Sequence, residues 1–243
     1  MKKSYWDTEH QYEQPSVELL QKNAGETAKK AKAKGRQLHP VLITGRKIAH
    51  SWWGSAWCEN LERYADYENR LERGRRYLRS GAVVDLQIEK GKVIAKVQGR
   101  KKTPYKTEIR ISPVNEEKIQ RIMKECGSQI DNLDRLLKGD FPKEMKEIFM
   151  EQDGLFPAPT EISFGCSCPD WALMCKHVAA VLYGIAMRLD EDPLLFFLLR
   201  GIDVDHFVSV TLENSVESML VNADVESDRI IKSSGWEDLF GVL

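Results

Sequence analysis

The spacing of apolar side chains changes several times along this chain, and each change predicts a different element. Residues 1 to about 40 are polar and lysine-rich, with the run AKKAKAKGR at 28–36 and almost no large apolar residue after Leu20. They read as a mobile basic arm. The first dense apolar signal is VLITGRKIAHSWWGSAW. There a short strand, Val41 to Ile43, leads through Gly45 into Trp53, Trp57, Leu61 and Tyr64, whose helical spacing predicts one buried helix face. The same spacing favours Trp52, Trp53 and Trp57 as core residues over base-stacking platforms.

After the arginine-rich stretch NRLERGRRYLRSG the period becomes two. AVVDLQIE, a turn at Gly91, VIAKVQG, the polar loop RKKTPYK and TEIRIS predict three antiparallel strands. Ser112-Pro113 resembles a helix start, and helical patterns follow at 115–125, at 129–138 before Gly139, and after Pro142. DGLFPAPT at 153–160 carries two prolines and a glycine, which predicts a domain boundary. Beyond it EISFG reads as a strand. HVAAVLYGIAMRL places Val178, Val181, Leu182, Ile185 and Leu189 on one helical stripe, and LLFFLLRG after Pro193 reads as a short buried helix. The expected organisation is a basic arm at 1–40, an α+β domain at 41–152, a cysteine-containing unit at 153–200 and an acidic segment at 201–243. The fold class is α+β, a small antiparallel sheet with helices followed by a helical C-terminal segment.

Composition adds bounds. With 243 residues, 42% hydrophobic and 30% charged, the chain is ordinary globular material. No stretch approaches the roughly 20 apolar residues of a membrane helix, and MKKSYWDTEH has no apolar run behind its lysines, which reads as cytosolic. Charge is polarised along the sequence. Arg70 to Arg110 holds thirteen Lys/Arg against four Asp/Glu, a balance of +9, and Leu189 to Leu243 holds twelve acidic residues against three basic ones.

Five cysteines are an odd number, and three of them crowd into CSCPDWALMCKH, a poor layout for a disulfide framework and a good one for a metal. Zinc takes four soft or borderline donors in a tetrahedron, and three thiolates with one imidazole is an established closed set. In an extended segment Cys166 and Cys168 project to one side. Pro169 and Asp170 favour a turn back, and Cys175 and His177 arrive at a helix start. The expected ligands are therefore Cys166, Cys168, Cys175 and His177 on one structural zinc ion, with Lys176 and the helix N-terminus offsetting the negative charge. All four positions are filled by protein, which leaves no open site for catalysis. With a boundary at 153–160, losing the metal should unfold 160–200 and spare the strands before residue 113. Cys58 and Cys126 read as buried thiols, and His10, His39, His50 and His206 lack metal-like spacing.

The run CSCPDWALMCKHVAAVLY resembles the SWIM-type zinc finger, C-x-C followed by C-x-H. A wider similarity, from ITGRKIAHSWWGSAW through RLERGRRYLRSG, VQGR and LFP to DEDPLLFFLLRG, resembles bacterial proteins carrying this finger behind an N-terminal α+β region. Met174 stands where such proteins often have proline. The resemblance implies a ββα finger that binds DNA or protein, often in systems with a Swi/Snf-type helicase.

Phosphate neutralisation dominates non-specific nucleic-acid affinity. The candidates for it are Arg73, Arg75, Arg76 and Arg79 on one helix or bent turn, and Arg100, Lys101, Lys102 and Lys106 in a loop, with Tyr77 and Tyr105 among them as stacking platforms. The competing reading pairs these charges with the acidic C-terminal segment. No phosphate-cradling glycine loop, nucleophile elbow or metalloprotease helix is present. The leading expectation is a zinc-stabilised, non-catalytic adaptor that binds nucleic acid, DNA before RNA. A protein-interaction module docking on a helicase or other partner is the alternative, and a nuclease built from scattered acidic residues is a third.

Overall fold

The period-two alternation after Gly81 folds into an antiparallel meander. In the computed structural model, which describes residues 14–63, 68–126, 133–170, 172 and 174–223, β1 (Val83–Glu89), β2 (Lys92–Val97) and β3 (Tyr105–Ile111) pair in chain order. A fourth strand, β4 (Ile162–Cys166), adds antiparallel to β3, with Thr107 opposite Cys166 and Ile109 opposite Phe164. Gly91 closes the first hairpin at φ 70°, a conformation that costs glycine little. Residues 39–41 run beside β1 through Leu86 N–H to His39 O (2.9 Å) and Val41 N–H to Val83 O (3.0 Å), short of a regular strand.

The helices are α1 (Val17–Ala33), α2 (Trp52–Arg63), α3 (Glu68–Arg79), α4 (Glu116–Cys126), α5 (Leu133–Lys138), α6 (Lys143–Met150), α7 (Lys176–Glu191), α8 (Leu194–Arg200) and α9 (Val204–Ala223). The chain is thus α+β, with a four-stranded antiparallel sheet. None of the described helices is long and apolar enough to cross a membrane. The helix expected at 129–138 is seen from Leu133, and 127–132, Tyr64 and 224–243 lie outside the described residues.

Helix α7 organises the rest. Its apolar residues predict one buried stripe, yet every residue from Lys176 to Ala186 is buried. Small side chains explain the difference, because Ala179, Ala180, Gly184 and Ala186 let neighbours approach on several sides. α3 meets α7 where a β-carbon on Gly74 would stand 2.5 Å from Ala179 Cβ, and a β-carbon on Gly184 would stand 2.8 Å from Leu86 Cδ1 in the sheet. α2 contributes Trp57, 2% exposed, whose indole N–H donates to Leu182 O at 3.0 Å. Gly74→Ala is therefore expected to reverse the usual helix preference. The propensity gain of about 1 kcal/mol is outweighed by an overpacking cost of about 1–3 kcal/mol. A lower urea midpoint is the expected reading, and an unchanged or raised midpoint argues against so close a crossing.

Two expectations change. The first forty residues are not a mobile arm throughout, because residues 17–33 form α1, with Ser16 Oγ capping Leu19 N–H (3.2 Å) and Leu20 fully buried. Alanine and lysine are strong helix formers, so a helix needs few apolar anchors here. The turn at 153–160 is likewise no boundary. β4 and α7 beyond it share the sheet and the core with everything before it, and Leu155 and Phe156 within it are buried. Trp53, fully buried, donates its indole N–H to Leu136 O (3.0 Å) and packs on Phe196 and Phe197, tying α2 to α8.

Candidate metal centre

Cys166 ends β4, and the two-residue alternation continues beyond the strand. Phe164, Cys166 and Cys168 are half-buried, whereas Gly165 and Ser167 are exposed, so both sulfurs face inward. Ser167 pins this edge to β3, its N–H donating to Lys106 O and its Oγ accepting from Lys106 N–H, each at 2.9 Å. Asp170 then turns the chain, its Oδ1 accepting from Ala172 N–H (3.3 Å). Cys175 is the N-cap of α7, and His177 lies in its first turn. Strand end and helix start thereby converge.

The four donor atoms of Cys166, Cys168, Cys175 and His177 all lie within 4.8 Å of one another. His177 Nδ1 stands 3.9 Å from both Cys166 Sγ and Cys175 Sγ. Donors at about 2.3 Å from one central ion stand about 3.8 Å apart at the corners of a tetrahedron. The group can hold one metal ion. Thr107 Oγ1 lies 3.6 Å from Cys166 Sγ, and Tyr105 and Tyr77 pack on the imidazole at centroid distances of 4.5 and 5.2 Å. Among the described residues, His177 Nε2 is the buried side-chain polar atom without a hydrogen-bond partner. The imidazole therefore has its working nitrogen, Nδ1, turned to the sulfurs.

Without an ion the three thiols do not share charge equally. A hydrogen bond from the Cys175 thiol, helped by His177 and Thr107, pulls Cys166 down to about 3. The same hydrogen bond, with burial, pushes Cys175 up, and burial raises Cys168. Burial also lowers His177, which keeps its imidazole neutral. With both raised above the ordinary thiol value, Cys168 and Cys175 carry protons at neutral pH that a metal must displace. Binding is therefore expected to release protons, so affinity should fall as the pH drops. Calorimetry in buffers of different ionisation heat counts those protons, and a count near zero would contradict this sharing of charge.

Beside the cluster lies a cleft of about 490 Å³. Among the described residues its cationic lining is Arg70 and Arg73 of α3, Arg100 and Lys101 of the β2–β3 loop, and Lys176 of α7, and Asp170 is the carboxylate that joins them. Arg70 pairs with that carboxylate at 2.5 Å. Tyr105, Cys168, Pro169 and His177 complete the wall.

The basic residues singled out by the sequence do not act as one group. At about 100° per residue, an α-helix fans neighbouring side chains around its axis. Arg73 faces the cleft. Arg75 pairs with Glu62 (2.8 Å) and lies 5.4 Å from the Tyr183 ring centroid, Arg76 holds Gln14 Oε1 (2.7 Å) and Pro15 O, and Arg79 donates to Arg46 O. Of the loop candidates, Arg100 and Lys101 line the cleft, whereas Lys102 and Lys106 are exposed outside its lining. Arg70 and Lys176 line the cleft as well, although the sequence pattern marks Lys176 only as a charge offset and does not single out Arg70. The signals available were a helical spacing of three before Arg73 and the place of Lys176 between two ligands. The partners of Arg70, Arg75, Lys92, Lys96 and Arg110 are Asp170, Glu62, Glu89, Asp85 and Glu108.

No family model matches the chain, and no solved structure matches it. It is similar to a protein of Mycobacterium tuberculosis, "Uncharacterized protein Rv2102", with 36% identity over 156 residues. The match covers 63% of this chain and 56% of that relative's length.

Proposed function

We propose that the chain is a zinc-stabilised, non-catalytic nucleic-acid-binding adaptor. The carrying observation is the juxtaposition of the Cys166, Cys168, Cys175 and His177 donors with a cleft lined by five cationic side chains. Three sulfurs and one imidazole nitrogen at tetrahedral spacing suit zinc over harder cations, which prefer oxygen. With four protein donors the ion has no open position, so its contribution is to fold and to the shape of the cleft wall. Arg73, Arg100, Lys101 and Lys176 supply phosphate-binding charge. The resemblance to the SWIM-type finger supports DNA as the ligand and a Swi/Snf-type helicase as a partner.

Binding of the zinc-loaded chain to labelled DNA and RNA, measured across salt concentrations, tests the reading. Affinity should fall as salt rises, with a log–log slope of about −0.7 to −0.9 for each phosphate neutralised. No affinity for any nucleic acid at low salt removes it. One feature favours the alternative, a protein-interaction module. On α9, Leu212, Val216 and Leu220 recur every four residues and are exposed, Leu220 by 66%. Co-purification of a specific protein that survives nuclease treatment and is lost on Val216→Glu supports that role.

A further inference from the structure

We infer that the cleft beside the metal centre takes a single nucleotide of an unpaired strand, which makes the chain a single-strand binder in preference to a duplex binder. The inference rests on the nucleic-acid reading and adds the strand form to it.

The shape of the site carries the argument. A duplex presents its phosphates on a convex rod, and proteins read it by pushing a helix or a β-ribbon into a groove. Here the cations surround a hollow. Arg70 and Arg73 stand half-buried on one wall, Lys176 is buried at the start of α7, and Arg100 and Lys101 close the rim from the loop. Its volume of about 490 Å³ lies in the range of pockets that enclose one small ligand. A base pair held in a double helix cannot enter such a hollow, whereas an unstacked nucleotide can.

The chemistry of the wall agrees. A lining in which Arg73, Arg100, Lys101 and Lys176 stand beside the Arg70–Asp170 pair suits a phosphate and its neighbour along a strand. Tyr105 and Pro169 line the same cleft as those cations, and an aromatic ring among cations is what single-strand grooves use to stack bases without sequence preference. Tyr105 is held there by its neighbours. Its ring packs on His177, and a β-carbon on Gly99 would stand 2.6 Å from Tyr105 Cε2, so glycine is what leaves the ring its place. The phosphate goes to the cations of α3 and the loop, and the base lies against Tyr105.

The test compares a fluorescein-labelled oligothymidylate of about 12 nucleotides with a hairpin duplex of the same length, using the full zinc-loaded chain and fluorescence anisotropy. The single strand should bind at least about tenfold tighter. Arg73→Glu with Lys101→Glu should cost the single strand at least about tenfold and flatten its salt slope by more than one unit. Lys124→Glu with Lys143→Glu, an equal charge change at exposed positions of α4 and α6, should cost less than about threefold. Tyr105→Leu should lower single-strand affinity about tenfold with the salt slope kept, and zinc content measured on each variant confirms that the wall is intact. Equal or tighter duplex binding, or equal losses in the two charge-reversed pairs, overturns the strand assignment while leaving nucleic-acid binding in place. No binding to either probe overturns both.

Discussion

Replacing Cys175 by serine is expected to strip the metal and lower the stability of the whole chain in one transition. Binding at a thiolate-rich structural site is worth on the order of 10 kcal/mol or more, which is comparable with the entire stability of an ordinary domain. Cys175 is 1% exposed at the N-cap of α7, and α7 is enclosed by α2, α3 and the sheet. Loosening its first turn therefore frees the central helix of the fold, and the damage has no boundary at which to stop. The expected results are metal content near zero by elemental analysis and an apparent Tm lower by at least about 15 °C. Hydrogen-exchange protection should fall in β1 to β3 together with 160–200. Protection retained in residues 83–111 would restore the local unfolding that a separate finger unit implies, and full metal content in the variant would overturn the ligand assignment.

The second large effect is expected at Arg200, which is not one of the four donors. Its side chain is fully buried, with Nε donating to Leu155 O (2.9 Å), one terminal nitrogen to Ser112 O (2.6 Å) and the other to Glu161 Oε1 (3.0 Å). One planar group thus joins the end of β3, the 153–160 turn and α8. Burial pulls the Arg200 pKa down, and the Glu161 carboxylate works against that, so the pair stands or falls together. Arg200→Leu removes the cation and leaves two buried carbonyls without their donor, while the Glu161 carboxylate loses its guanidinium and keeps Ala158 N–H (2.8 Å) and Lys118 (3.9 Å). Breaking such a pair costs about 3–5 kcal/mol, or roughly 10 °C in Tm for a chain of this size. Arg200→Lys should recover little of it, since one ammonium cannot match a three-way planar fork. Thermal unfolding followed by circular dichroism checks both variants, and a loss below about 1 kcal/mol in the leucine variant would show the guanidinium to be dispensable.

Parts of this architecture are written locally. The alternation in AVVDLQIE and TEIRIS specifies strands, the spacing of Trp53, Trp57 and Leu61 specifies a buried helix face, and C-x-C with C-x-H brings four donors within one turn of a strand end and a helix start. Other parts depend on partners distant in sequence. α1 is hard to read because one leucine and a few polar groups anchor it, and those groups bond to backbone that no period reveals. The burial of α7 on all sides follows from Ala179 meeting Gly74 and Gly184 meeting Leu86, pairings visible only in three dimensions. The cleft is assembled in the same way, since Arg70 and Lys176 reach one hollow from well-separated stretches, while Arg75 and Arg76, adjacent to Arg73, are turned to other tasks by the helical twist.

The docking of α1 reaches further than its exposed position suggests. Asn23 Nδ2 donates to the carbonyls of Gly99 (3.1 Å) and Arg100 (3.3 Å), and Thr27 Oγ1 donates to Gln98 Oε1 (2.8 Å). The backbone that carries Arg100 and Lys101, and the glycine against which Tyr105 rests, are thus splinted from the N-terminal side of the chain. A lysine-rich helix that looks like a spacer is in this sense a part of the tool: it sets the stance of a rim that it does not itself line.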